Sequence, residues 1–525
     1  MRPYVFTLLL LFLVAQLSTD IYHYFYYLNS TRWWLLIAAV CVLVDSKISQ
    51  KIKPYCLSYK KYGLFSITIA AVLVLILLPT GKTQPAPTGL GDSLWLIEII
   101  PAAAYTIGWW TTLDEILEPL IRSVLVRTFA DSNSIDSVLF WLGAYSTVCG
   151  LFLIISILIF VYRRPVRFQL AAFLLIFFVP STQLFLNYIE HYSFAALSIA
   201  VILLLIWTDI EAQNQNQPSK KKDYMPILIA AFAVIGFLHH GIVGFLLPTL
   251  IVYLLKRSKS KNDFILMALK SSAVAMLILV IGWFFYLYVL DESIKTSHLW
   301  HLPVLPLNKL FSSSNLSKVL TILLLTTPLS YTFIIEKIIL RFKKNDTKLK
   351  AKLAKDSISV IITVAIISFL VHLVVWNPMI GLPADWDLLS FVSIPIHIFI
   401  LRQLSFKKSI RLIPIAMLTL LPAMLWWWSN HQKSKYDIYY SNLTFNHSQA
   451  VITKINQSTI FSKIPHQRKQ QLLLLRLYSV KLGEETQNLK LAFENAERVA
   501  AFGSDSEFDS EITKVKSLLE EASRN

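Results

Sequence analysis

Apolar residues in this chain are gathered into long runs separated by short basic clusters, not spread at the spacings of a half-buried helix or strand. A bilayer's hydrocarbon core is about 30 Å thick, and an α-helix needs about 20 predominantly apolar residues to cross it. Runs near that length recur along the 525 residues, so the pattern predicts an all-α, polytopic helical membrane protein. Candidate spans lie at about 4–17, 33–46, 62–79, 137–162, 168–187, 192–209, 224–238, 241–255, 264–290, 318–340, 357–376, 388–401 and 411–428, about thirteen in all. The first run, from Tyr4 to Leu17, has the length of a signal-peptide core, but a second apolar run follows so soon that it reads as an uncleaved span.

The formal charge of +17 does not indicate a nucleic-acid partner. Lysines and arginines sit in short connections such as "RRPVR" (163–167), "KKK" (220–222), "KRSKSK" (256–261), "RFKKNDTKLKAKLAK" (341–355) and "RQLSFKKSIR" (402–411), with no basic patch interleaved with aromatics for base stacking. They fall on every second connection, as the positive-inside bias requires, which predicts a cytoplasmic N-terminus and puts the alternate connections outside. Cys41 and Cys149 lie within apolar runs and Cys56 in a basic loop, a distribution that shows no disulfide framework and no thiolate metal spacing.

This topology collects ionisable residues on one external face: Asp92, Asp114, Glu115, Glu190, His191, His239, His240, Asp385 and Asp387. Ionisable groups near membrane depth cost free energy and are functional candidates by default. Residues 80–136 form the longest external connection between spans. Within it, "TTLDEILEPLIRSVLVRTF" has an apolar face through Leu113, Ile116, Leu117, Leu120, Ile121 and Val124 and a polar one through Asp114, Glu115, Glu118 and Arg122. That predicts an interfacial amphipathic helix, broken or restarted at Pro119, with Glu118 on its wet side and paired to Arg122.

Three sets of residues carry a resemblance: "TGLGDSLWLIE" with "TTLDEILEPLIRSVL" in the long loop, "NYIEHYSFAAL" opening a span, and "LPADWDLLSF" opening another. Together with a large external loop followed by many spans, they resemble the GT-C superfamily of membrane glycosyltransferases over roughly residues 60–430. The resemblance implies a GT-C-like transmembrane fold and transfer of a sugar from a polyprenyl-phosphate donor to a glycan, lipid or protein acceptor on the external face. It also implies a catalytic carboxylate in the first large loop, where Asp92 is the leading candidate and Asp114 and Glu115 are the alternatives.

Such a transfer needs a base near the acceptor hydroxyl and a hydrogen-bonding or cationic cradle for the departing phosphate. An interfacial aspartate suits the first task; His191, His239, His240 and Arg122 are candidates for the second or for sugar binding, with Glu190, Asp385 and Asp387. Asp385 and Asp387, two residues apart, project in different directions and cannot form a simple acid–base pair; one can cap the span while the other faces the cavity. A divalent cation held by Asp92 with Asp385 or Asp387 is conceivable for oxygen ligands. No cofactor is otherwise indicated.

From Ser429 the runs shorten and charges appear. Amphipathic stretches at roughly 464–482, 485–502 and 507–522, separated by "LGEE" and "FGSDSEFD", predict a small external helical domain and weakly resemble a tetratricopeptide-type array. The expected division is a membrane hairpin at 1–61, a catalytic membrane core at 62–428 and the helical domain at 429–525. Two other functions fit less well: a secondary transporter or lipid-linked sugar flippase, which calls for broken spans and internal repeats, and a glycan polymerase or ligase, left open by the external stretch "DESIKTSHLWHLPVLPLNKL".

Overall fold

The computed structural model describes residues 116–130, 135–162, 164–185, 189, 192–214, 224–288, 304–342, 356–376, 386–406, 412, 414–420, 422–423, 472, 475 and 487–524. The predicted spans at 4–17, 33–46 and 62–79 and most of the loop 80–136 lie outside the described residues. Among those described, every regular element is helical; Val304 and Trp376 form an isolated antiparallel bridge.

In chain order the helices are α1 (Leu117–Phe129), α2 (Ile135–Val161), α3 (Val166–Ala172), α4 (Ser193–Asn214), α5 (Met225–His239), α6 (Leu247–Arg257), α7 (Lys261–Tyr288) and α8 (Leu307–Leu310). They continue as α9 (Ser313–Thr326), α10 (Pro328–Phe342), α11 (Ser357–Val375), α12 (Trp386–Leu389), α13 (Ser393–Ser405), α14 (Gln487–Phe502) and α15 (Asp505–Arg524). Among the described residues four helices are long and apolar enough to cross a bilayer: α2, α4, α7 and α11. The protein is a helical membrane protein, as its run lengths predict.

Four spans expected as single helices are composite. The stretch 168–187 passes from α3 into a π-helical turn, Phe173–Phe177, and then a 3-10 helix, Pro180–Phe185. The stretch 241–255 begins as a 3-10 helix, Gly241–Leu246, and becomes α only in α6; by the rises of the two helix types the run from Gly241 to Arg257 still reaches about 28 Å. The stretch 388–401 is led in by α12 and a 3-10 turn, Ser390–Val392, before α13. The predicted span 318–340 is a bent pair, α9 and α10, turning by 96°. Its cause is local: Pro328 disfavours α geometry at Thr327, which adopts φ −134° and ψ 52°, and then starts α10, where its missing N–H costs nothing.

Helix α4 is buried around most of its circumference, from Ala195 to Ile210, and forms the centre of the bundle. Helix α5 meets it through Gly236, where an added Cβ would lie 2.8 Å from Ser198 Cβ, so a larger residue would force the helices apart. Helix α7 is the opposite case: Leu269, Met276, Leu277, Val280 and Ile281 are all exposed among the described residues, an apolar surface suited to lipid contact.

One end of the bundle gathers charge. Arg402 on α13 donates through Nε and Nη2 to Asp356, at 2.9 and 2.7 Å, and through Nη1 to Glu211 of α4 at 3.4 Å. Arg164, just beyond α2, pairs with the other oxygen of Glu211. Both guanidinium groups lie over the buried Trp207 ring, at 5.1 Å for Arg402 and 5.6 Å for Arg164. Beside them Asp209 accepts from Arg257 Nε at 2.7 Å and from Tyr253 Oη at 2.8 Å, tying α6 to α4. These residues belong to, or adjoin, four basic connections that the charge alternation assigns to one side, so the alternation and the bundle geometry agree.

The described tail forms a hairpin of α14 and α15 with its own apolar core of Leu489, Phe493, Ala496, Phe508, Ile512 and Val515, joined by Leu472. Two of the three predicted amphipathic stretches are thereby described as helices; of the separator "FGSDSEFD" only Gly503 and Ser504 form the turn, and α15 starts already at Asp505. Gly503 closes α14: its N–H donates to Val499 O at 2.7 Å, and a Cβ there would sit 2.8 Å from that same oxygen. Ser504 then forms a reciprocal cap, its N–H donating to Glu507 Oε2 at 2.8 Å while its Oγ accepts from Glu507 N at 3.4 Å. The Ser504 hydrogen bonds hold the Glu507 carboxyl below the usual range.

Two predictions follow from this architecture. Burial alone would push the Asp356 carboxyl up, but the hydrogen bonds from Arg402 and Ser359 and the guanidinium charge outweigh it and hold it below the usual carboxylate range. Its contribution is therefore present above the unfolded carboxylate value and lost as pH falls through the lower folded one. Asp356→Ala in nanodiscs will cost about 3–5 kcal/mol at neutral pH, because it strands Arg402, and the loss will shrink in acid; thermal unfolding across pH measures both. In the tail, Ser504→Ala will cost about 0.5–2 kcal/mol, read as faster amide exchange across 487–524 with the exchange of α4 unchanged.

Candidate functional site

The opposite end of the bundle carries a group of buried histidines. His239 is the last residue of α5; its Nδ1–H donates to Ile235 O at 2.8 Å, which fixes the tautomer, and its ring stacks on Phe194 with centroids 3.8 Å apart. The ring is 3% exposed and Nε2 has no hydrogen-bond partner. His240 is extended, at φ −163° and ψ 130°, and turns the chain into the 3-10 helix that precedes α6. Its Nδ1 accepts from Ile242 N at 3.1 Å, so in the neutral ring the proton sits on Nε2.

Tyr192 links this corner to the segment before α13. Its ring lies 4.8 Å from His240 and 6.0 Å from Phe391 by centroids. Tyr192 ends the "NYIEHY" stretch and Phe391 follows "DWDLLS" by one residue, so the described residues flanking two motifs meet at the "HHG" corner. Ser193 Oγ donates to Leu184 O at 2.7 Å and Ser393 Oγ donates to Ser181 Oγ at 3.3 Å, which fasten the start of α4 and the start of α13 to the end of the 3-10 segment.

Two residues absent from the sequence reading complete the corner. His372, in the last turn of α11, is 1% exposed and packs between Phe245 at 4.9 Å and Trp376 at 5.0 Å, with its Nε2 unpartnered. Lys318 of α9 donates to Trp376 O at 3.0 Å, while Asn315 donates to Val374 O at 2.9 Å and Leu305 N–H to Val375 O at 2.8 Å. The last carbonyls of α11 are thus capped from α9 and from the residues before α8, and a lysine sits where the helix dipole favours a cation. The signal for His372 was available, since it is an ionisable residue inside the apolar run 357–376.

Of the other predicted site residues, Asp92, Asp114, Glu115, Glu190, His191 and Asp385 lie outside the described residues, and Asp387 is the second residue of α12. Arg122 and Glu118 correct the reading of α1. They do not form a wet face: both are fully buried, with Arg122 Nη2 2.8 Å and Nε 3.2 Å from Glu118 Oε1. Arg122 Nη1 donates to Leu142 O of α2, and its guanidinium lies 4.9 Å over the Tyr145 ring. The residues assigned to the wet side of an interfacial helix are instead what docks α1 onto α2, while Val124 and Phe129 are exposed. Pro119 does not interrupt the helix because it falls in the first turn. Among the described residues no group of three or more His, Cys, Asp or Glu is arranged to hold a metal ion.

No family model matches the chain, and no curated protein sequence matches it. Among solved structures the chain is similar to the crystal structure of ArnT from Cupriavidus metallidurans in the apo state, at 11% identity and a TM-score of 0.43, over 88% of this chain and 76% of that one. It is similar also to ArnT from the same organism bound to undecaprenyl phosphate, at 12% identity and a TM-score of 0.40, over 89% and 76% of the two chains.

The docking role of Arg122 is testable. Arg122→Met removes the guanidinium partner of the buried Glu118 and will destabilise the protein by about 3–5 kcal/mol, whereas Arg122→Met with Glu118→Leu will recover most of the loss. Thermal unfolding of the two variants checks it.

Proposed function

We propose that the protein is a membrane glycosyltransferase of GT-C type, which moves a sugar from a polyprenyl-phosphate donor to an acceptor hydroxyl at the histidine end of the bundle. The observation that carries this reading is the contrast between the two ends. At the basic end Arg164, Arg257 and Arg402 are engaged by Glu211, Asp209 and Asp356. At the other end residues flanking "NYIEHYS", "HHG" and "LPADWDLLSF" come into contact through Tyr192, His240 and Phe391.

In this reading a loop carboxylate, Asp92 first and Asp114 or Glu115 as alternatives, accepts the proton of the acceptor hydroxyl. The oxygen forms a bond to the anomeric carbon, and the bond from that carbon to the phosphate oxygen breaks with its electron pair, releasing the polyprenyl phosphate. Imidazole N–H groups near the departing phosphate stabilise the charge that develops there. His191 and His240 are the candidates for that role, and Glu190, Asp385, Asp387 and His239, whose Nε2 is left as an acceptor, for holding sugar or acceptor hydroxyls. The site faces outside by the charge alternation, residues 62–428 form the catalytic membrane core behind the hairpin 1–61, and the external helical domain 429–525 docks the acceptor or a partner.

One observation favours a second reading, a lipid-linked sugar transporter: α3, α6, α9–α10 and α13 are all discontinuous spans. Proteoliposomes separate the two. With polyprenyl-phosphate sugars supplied, the wild type will transfer sugar and Asp92→Asn and Asp387→Asn will lose at least about 100-fold of the rate. Transfer at the wild-type rate by both variants would refute the proposed site, and movement of the donor across the bilayer without transfer would establish the transporter.

A further inference from the structure

The break after α3 raises a problem that the catalytic reading does not address. Between Ala172 and Pro180 the chain leaves α geometry for a π turn, and Phe178 adopts φ −85° and ψ 60°. Irregular backbone at membrane depth survives only where it is buried in protein or lines a cavity that holds water. Here it lines a cavity of about 10 Å³, walled by Leu175, Ile176, Val179 and Ser181 of the break and by His397 of α13.

His397 is 1% exposed, and neither of its ring nitrogens has a hydrogen-bond partner. Ser181 Oγ, on the opposite wall, accepts from Ser393 Oγ at 3.3 Å and keeps capacity for a further hydrogen bond. Ser393 stands one turn before His397 on α13, so the two polar groups share one side of that helix. A neutral imidazole offers one donor and one acceptor, and burying them unmet is costly. Among the described residues no charged side chain lines the cavity, which disfavours an ion as its occupant. Its volume is on the scale of a single water, and its remaining walls are apolar.

We propose that this cavity is an internal water site, in which one water bridges a ring nitrogen of His397 and the hydroxyl of Ser181. The water joins α13 to the broken segment after α3, just beneath the Ser181–Ser393 hydrogen bond that fastens the histidine end of the bundle. The site is independent of the transfer reaction and holds whether or not the protein is a glycosyltransferase.

A double-mutant cycle tests it in nanodiscs, with His397→Leu and Ser181→Ala alone and together. If water bridges the two, each single variant will lower the unfolding midpoint, and the double variant will be no worse than the worse single. His397→Gln, which keeps a donor and an acceptor, will stay closer to the wild type than His397→Leu. A dry apolar pocket gives the opposite pattern: His397→Leu raises the midpoint, and the two substitutions add. Radiolytic hydroxyl labelling supplies a readout in the wild type that needs no variant to fold. Leu175 and Val179, which line the cavity, will be modified faster than the similarly buried Ile199 and Leu203 of α4; equal, slow modification would overturn the proposal.

Discussion

Arg402 holds the basic end of the bundle together. Its bidentate bond to Asp356 and its reach to Glu211 join α13, the start of α11 and the end of α4, and Arg164 extends the same set to α2. Charges at the edge of the hydrocarbon are tolerated only when paired, so none of these residues can slip along its helix without stranding another. The pairing therefore sets the axial register of four helices at once. Because α4 is a 22-residue rod of about 33 Å, register fixed at its end also sets where Tyr192 and Ser193 emerge at the far side.

The far side is built by different means. It carries 3-10 and short α segments, Gly241–Leu246 and 386–392, and its contacts are mainly aromatic and imidazole rings, with the one buried Glu118–Arg122 pair beside Tyr145. Each described histidine there has one nitrogen or one ring face committed: His239 to Ile235 O and Phe194, His240 to Ile242 N and Tyr192, His372 to Phe245 and Trp376. Such groups are oriented by the fold and can hydrogen-bond an incoming group without the desolvation cost of a fixed charge.

Much of this was legible in the sequence, and what was not failed for identifiable reasons. Run length found α2, α4, α7 and α11 within a few residues, since hydrophobicity over about 20 residues is what a membrane selects. Alternation of basic loops anticipated which helix ends meet, as Arg164, Arg257 and Arg402 show. The bend at Thr327 had a marker, Pro328, but a run-length reading averages over one proline. The π turn at Phe173–Phe177 had none: "FLLIF" is as apolar as any helix, and its geometry follows from tertiary packing. Glu118 and Arg122 were assigned to a polar face because helical periodicity cannot tell a wet face from one that buries a salt bridge. His372 and His397 were passed over because attention to span ends ignored the few ionisable residues inside spans.

The buried position of Arg122 bears on the loop that leads into α1. Asp114 and Glu115 precede α1 by three residues and two, and α1 is anchored by Arg122 to the carbonyl of Leu142 and the ring of Tyr145. Tyr145 in turn lies 6.4 Å from His239 by ring centroids. A polar helix floating at the interface would leave those carboxylates free to wander over the membrane surface. A helix pinned by a buried ion pair ends its first turn within the same neighbourhood as the histidine corner, and a chain of two or three residues spans only about 10 Å. The buried ion pair thus fixes α1 beside the histidine end, so the loop that ends at Leu117 joins the bundle at a position set by Arg122 and not by the membrane surface; in sequence Asp114 and Glu115 stand three and two residues before that anchor and Asp92 stands 25 before it.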